Sequence, residues 1–236
     1  MIKTEESFSC CKKTCEGDYL IASFEGDISK EKRKIPTDYG TGMTYNLLVG
    51  GNIGVQQLEF SILYAIQNIH TDFLDKFILA IMNITGSYGQ LWIILAVLLL
   101  FFKKTRKAGF TILISYALVF VVGQYGLKDL IARPRPCHID ETIALLVERP
   151  SSFSCPSTHS AWAFAAAASI FAWHKKFGIA VGVVALIVAF GRLYLFVHFP
   201  TDVLFGIALG ILFALVAYNI VKAADRKIKK TVPKTK

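Results

Sequence analysis

The chain has 236 residues, of which 54% are hydrophobic and 18% charged, and a formal net charge of +9 at neutral pH. The apolar residues are gathered in blocks rather than spread in the short periods of a soluble domain, which marks a membrane protein. The basic excess lies between those blocks without interleaved aromatics, so nucleic acid is set aside as a partner.

Residues 1–52 form a polar N-terminal region of mixed charge. No apolar run there is long enough for a signal peptide or a sizeable core, so partial disorder is expected and insertion falls to the first internal span. Cys10, Cys11 and Cys15 have no partner histidines nearby in sequence and read as unpaired thiols. Residues 53–224 form the membrane-embedded domain and 225–236 a basic cytoplasmic tail. Within 56–84, Leu58, Ile62, Ile66 and Ile69 make one helical stripe, and Phe73, Phe77, Ile81 and Ile84 a second. Polar residues such as Glu59, Gln67 and Asp75 interrupt both stripes, so one bent crossing with an interfacial amphipathic helix is predicted.

Five firmer spans follow, at Gln90–Phe102, Gly109–Leu127, Ala161–Trp173, Phe177–Val197 and Val203–Val221. A hydrocarbon core of ~30 Å needs roughly 20 helical residues, and uncharged neighbours lengthen the first and third of these. Lys103, Lys104, Arg106 and Lys107 fill one loop, Lys175 and Lys176 another, and the tail is lysine-rich from Lys222 onward. These three segments stand at alternate ends of the spans and so share one face, which the positive-inside rule makes cytoplasmic. The fold class is therefore an all-α, polytopic transmembrane helical bundle.

Three polar clusters lie at span ends on the opposite face. The first runs from Lys128 through Arg135 and Pro136, the second is Pro156-Ser157-Thr158-His159, and the third holds Arg192, His198 and Asp202. Charges at a membrane boundary are costly unless paired or functional, and here three cations, two histidines and a carboxylate stand at a common depth. Lys128 and Arg135 can share a helix face if the helix persists to Ile131 or Ala132, while Pro134 must end it. Arginine offers a planar fork to phosphate oxygens and lysine a point charge. Ser157 precedes a long helix, whose N-terminus supplies free N–H groups and a positive dipole end. Pro200 suits a first helical turn, with His198 just outside it and Asp202 just inside, where a carboxylate can hold one imidazole nitrogen and leave the other as nucleophile. Two histidines and an aspartate are also a zinc-type donor set, but the three cations would repel a metal, so none is expected.

In order and spacing these clusters resemble the signature of the type-2 phosphatidic acid phosphatases, relatives of vanadium haloperoxidases and bacterial acid phosphatases: Lys-x6-Arg-Pro, Pro-Ser-Gly-His and Ser-Arg-x5-His-x3-Asp. The likeness covers roughly Phe73 to Val221. It implies six spans and a metal-independent phosphatase with no cofactor. His198 would attack phosphorus to form a phosphohistidine, Asp202 would orient it, and His159 would protonate the leaving oxygen and then activate water. Lys128, Arg135 and Arg192 would hold the phosphate, with Ser157 and the main-chain N–H groups of Thr158 and His159 completing the cradle. The substrate implied is a membrane lipid phosphate or diphosphate. Undecaprenyl or another polyprenyl diphosphate is first choice, followed by phosphatidylglycerol phosphate and phosphatidate, at a non-cytoplasmic site on the plasma membrane. A lipid phosphotransferase and a non-catalytic lipid-phosphate binder or transporter are the alternatives.

Two positions depart from the signature. Thr158 replaces its glycine, and Gly191 replaces its serine, removing a hydroxyl donor worth ~1.5–3 kcal/mol against a charged partner. Cys137 follows the first cluster and Cys155 precedes the second, so convergence of the two would bring both within disulfide reach on an oxidising face. Between them, Ile139, Ile143, Leu146 and Val147 suggest a short amphipathic helix on the bilayer.

Overall fold

The computed structural model describes residues 53–231, and every regular element among them is helical. In chain order these are α1 (Ile53–Gln67), α2 (Asp72–Thr85), α3 (Gln90–Leu100) and α4 (Arg106–Leu118), which continues as a π-helical stretch (Val119–Leu127) into α5 (Lys128–Ile131). The short α6 (Pro136–Ile139) is followed by the long α7 (Thr158–Trp173), α8 (Lys175–Tyr194) and α9 (Pro200–Thr231). The N-terminal region, with Cys10, Cys11 and Cys15, lies outside the described residues.

Three helical stretches are long and apolar enough to cross a membrane: Arg106–Ile139, Lys175–Tyr194 and Pro200–Lys230. A fourth arises if α2 and α3, bent by 55° at their junction, act as one span. The 56–84 segment is the one expected to hold a bent crossing with an interfacial amphipathic helix. It forms two helices, α2 being stopped from merging with α1 by Thr71, whose hydroxyl caps it by accepting from the Leu74 N–H at 3.3 Å. Helix α9 runs unbroken to Thr231 and so carries the first basic residues of the tail.

Helix α7 is the axis of the bundle and packs against α4, α8 and α9. Its alanines 161, 163, 165 and 166 are almost wholly buried, and small residues let neighbouring backbones come close. The closest approach is to α9. A Cβ on Gly206 would stand 2.3 Å from the Ser157 carbonyl oxygen, and one on Gly210 2.2 Å from that of Ala161. Polar pairs add specificity across the apolar interface: Ser115 and Ser169 hydroxyls lie 3.2 Å apart, and the Trp173 indole donates to Thr111 at 2.9 Å.

The three basic segments meet at one end of the bundle. Lys107 pairs with Asp225 at 2.8 Å and lies over the Trp173 ring, while His174 stands 3.1 Å from the Lys104 carbonyl. The other end carries the polar clusters. There Ile143 is buried, with Ile139, Leu146 and Val147 packed against the same core. These side chains therefore belong to a loop folded onto the protein, and the amphipathic surface helix predicted between the cysteines does not form. Helix α6 ends at Ile139, and only turns and bends follow before α7.

Candidate active site

The lysine–arginine pair is set by a helix that stops abruptly. Helix α5 ends at Ile131, Ala132 takes a left-handed conformation (φ 47°), and Arg135 is extended ahead of Pro136. Pro134 and Pro136 enforce that extended run, turning Arg135 inward where Lys128 already points. Both are buried, at 4% and 2% exposure. Ser152 receives both: its hydroxyl accepts from Lys128 Nζ at 3.3 Å and from Arg135 Nη2 at 3.0 Å, and its carbonyl from Arg135 Nε at 2.7 Å.

Arg135 then fixes the state of His198. Its Nη1 donates to the Val197 carbonyl at 2.8 Å and lies 3.1 Å from His198 Nε2. Guanidinium nitrogens only donate, so Nε2 must present its lone pair and the imidazole proton resides on Nδ1. This is the neutral tautomer a nucleophile requires. Burial, together with the charges of Arg135, Arg192 and Lys128, holds His198 well below the usual histidine range.

Asp202 stands differently from the pattern the sequence suggests. Its Oδ2 is 3.9 Å from His198 Nδ1, close enough to attract charge but beyond hydrogen-bond reach. Ser154 comes between them. Its hydroxyl donates to Asp202 Oδ2 and lies 3.4 Å from His198 Nδ1. Asp202 is the third residue of α9, and its carboxylate reaches back to accept from the Phe199 N–H at 2.9 Å, as in a capping box. The carboxylate thus organises the loop carrying His198, and its carbonyl accepts from the Ser157 N–H at 3.1 Å, joining the second cluster to the third.

His159, in the first turn of α7, lies edge-on to Trp162 with its Nε2 3.3 Å from the Gly86 carbonyl oxygen. That oxygen only accepts, so the proton sits on Nε2 and Nδ1 carries the lone pair. Gly86 belongs to the bend between α2 and α3, where Gly86 and Gly89 both have positive φ. The bend therefore contributes a second-histidine contact from outside the three clusters.

A model of the PAP2 superfamily matches residues 90–226. The chain belongs to that superfamily. An undecaprenyl-diphosphatase of Sulfolobus acidocaldarius is 34% identical over 133 residues, 55% of this chain and 64% of that protein. Phosphatidylglycerophosphatase B of Bacillus subtilis is 40% identical over 115 residues, 44% of this chain and 52% of that one. The chain thus spans less than two thirds of these relatives' length. The crystal structure of a transmembrane PAP2-type phosphatidylglycerolphosphate phosphatase from Bacillus subtilis aligns with 80% of this chain and 96% of its own, at a TM-score of 0.59 and 29% identity. LpxE of Aquifex aeolicus aligns with 69% and 95%, at 0.56 and 26%.

The departures from the PAP2 signature have local causes. The Thr158 hydroxyl lies 3.2 Å from Gln124 Oε1, and its methyl faces Gly123, both in the π-helical stretch. The branched side chain is accommodated by that neighbouring segment. At Gly191 a Cβ would stand 2.9 Å from Met82 Cε, and Met82 Sδ lies 4.0 Å from Arg192 Nη1. Methionine from α2 thus fills the space beside Arg192 that a side chain at position 191 would need. Ser157 is buried, its hydroxyl 2.9 Å from that of Ser160.

The cysteine pairing suggested by the sequence does not form: Cys137 and Cys155 are both free thiols. Cys137 is fully buried in the apolar core. Burial and the neighbouring Asp202 carboxylate push the Cys155 thiol up to about 12, so it stays protonated and poorly nucleophilic.

Proposed function

We propose that the chain is an integral membrane lipid phosphatase acting through a phosphohistidine. The observation that carries this reading is the aim of His198: a neutral imidazole whose Nε2 lone pair meets Arg135, amid the charges of Lys128 and Arg192. A phosphate seated on those cations would receive the lone pair at phosphorus. The phosphate's negative charge would favour a second proton on His159, at Nδ1; the bond to the leaving oxygen breaks as the N–P bond forms, and that Nδ1 proton goes to the leaving oxygen. His159 then takes a proton from water as the water displaces His198 from phosphorus. Asp202 stabilises the transient positive charge on His198 from 3.9 Å. Fixed cations do here what magnesium does in kinases.

Names of relatives that act on undecaprenyl diphosphate and phosphatidylglycerophosphate favour the same substrate class, with a polyprenyl diphosphate first. The charge pattern and the family likeness support a six-span arrangement, a plasma-membrane location and a non-cytoplasmic site. The test is phosphate release by purified protein in detergent, with chelator present, from polyprenyl diphosphate, phosphatidylglycerol phosphate and phosphatidate. Release that survives chelation supports the reading. Transfer of label to an added acceptor lipid would make the chain a phosphotransferase, and binding without any release would make it a binder.

The pH dependence follows from His198. Because its proton affinity is lowered in the fold, the imidazole stays neutral as pH falls through the ordinary histidine value of 6.5. The acid limb of kcat/KM is therefore expected below pH 6.5, and a limb at or above that value would show that His198 is not held neutral.

A further inference from the structure

Glu59 is a carboxylate in the apolar run of α1, 3% exposed, and lies outside the 90–226 segment that matches the superfamily. Both its oxygens are used. Oε2 accepts from Arg133 Nη2 at 2.5 Å, while Oε1 accepts from the Thr201 N–H at 3.1 Å and the Thr201 hydroxyl at 2.5 Å. Arg133 turns its other nitrogen to the catalytic loop, with Nη1 donating to Asp202 Oδ1 at 2.7 Å and to Thr201 Oγ1 at 2.7 Å. Its guanidinium stacks on Phe199, 4.1 Å from the ring centroid. Phe60 packs edge-on against Phe199 and Tyr64 against Phe196, so α1 also clasps the loop through its aromatic side chains.

One guanidinium thus joins two buried carboxylates, one on α1 and one beside His198. Asp202 already accepts from Ser154 and the Phe199 N–H, so Arg133 is the cation that offsets its charge directly. On the reading of His198 as nucleophile, we propose that Glu59 and Arg133 are positioning residues, a charge-balanced brace that holds Asp202 and so sets the position and proton affinity of the His198 imidazole. The brace makes α1 part of the reaction machinery.

The charged groups bearing on His198 are Lys128, Arg135, Arg192 and Asp202, with His159 facing the same site, and the brace stands behind Asp202. Removing the Arg133 cation leaves the Asp202 anion less opposed, which favours imidazolium. Removing the Glu59 anion leaves Arg133 less opposed, which disfavours it. A purely structural role predicts no such opposition.

The test titrates 13C-labelled histidine rings of the full chain in detergent, with the His198 signal identified by its loss in His198→Ala. Arg133→Gln is expected to raise the His198 midpoint by about one pH unit, Glu59→Gln to move it down, and the double variant to return it close to wild type. Midpoints that do not move, that move the same way, or that the double variant fails to restore would overturn the proposal. Should the neutral variants fail to fold, Arg133→Lys decides. It keeps the charge but cannot span both carboxylates, so an unchanged midpoint with kcat down about tenfold supports the brace, and unchanged kcat sinks it. The titration needs no turnover. A wild type that released no phosphate would therefore count against the phosphatase reading and leave the brace to be judged by its own shifts.

Discussion

Replacing His198 by alanine is expected to bring lipid phosphate release down to background, a loss on the order of 10⁴-fold or more. On the phosphohistidine reading, no other group among the described residues of the site can replace His198 as nucleophile. The other histidine is turned toward Gly86, its Nε2 3.3 Å from that carbonyl, and the thiol of Cys155 stays protonated, pushed up to about 12. Asp202→Asn should cost less, roughly 10²-fold. The amide keeps an oxygen for the Phe199 N–H and Ser154, and the lost charge acts on His198 from 3.9 Å rather than through a direct bond. Parallel turnover of the two variants, with labelled phosphate trapped on the protein by a denaturing quench at alkaline pH, where a phosphohistidine survives, separates these roles. Asp202→Asn should still accumulate phosphorylated protein and His198→Ala none. If His198→Ala retained a tenth of wild-type release, attack by His198 would be wrong.

The charged side chains of the site were legible because they violate the economy of a membrane sequence. Lys128, Arg135 and Arg192 stand at span ends where an unneeded cation is costly, so position alone distinguished them. What supports them was not legible in the same way. Ser152 and Ser154 look like any polar turn between Arg149 and Pro156, and only the fold shows that one meets two cations and the other bridges Asp202 to His198. Glu59 reads as an interruption in an apolar stripe, and its pairing with Arg133 spans 74 residues, a separation no local pattern encodes. The expectation that Asp202 holds one nitrogen of His198 rests on Pro200, which sets His198 just outside the last helix and Asp202 just inside it. Pro200 does start α9 between them and His198 lies in the preceding loop, but Ser154 enters the gap. The disulfide expectation failed on burial: adjacency to the two clusters brings Cys137 into the core rather than toward Cys155.

Gly206→Ala and Gly210→Ala should separate the packing of the bundle from the shape of the site. Each added Cβ would meet a main-chain oxygen of the α7 segment, at 2.3 Å from Ser157 and 2.2 Å from Ala161. Neither oxygen belongs to a flexible side chain, so α9 must move away from α7. Overpacking of this kind costs about 1–3 kcal/mol, and contact with backbone puts both variants at the upper end. Both should therefore melt at lower temperature in detergent. Their effects on turnover should differ. Ser157 begins the second cluster, and its N–H is held by the Asp202 carbonyl at 3.1 Å, so displacing it parts the α7 N-terminus from the loop carrying His198. The strain at Gly210 falls one turn deeper, against Ala161. Folded Gly210→Ala is expected to keep kcat within about threefold of wild type, while folded Gly206→Ala falls by roughly 10²-fold, the penalty typical of a catalytic group misplaced by about 1 Å. Equal losses in the two variants would mean that the approach of α9 to α7 tunes stability alone and that the cradle tolerates the shift.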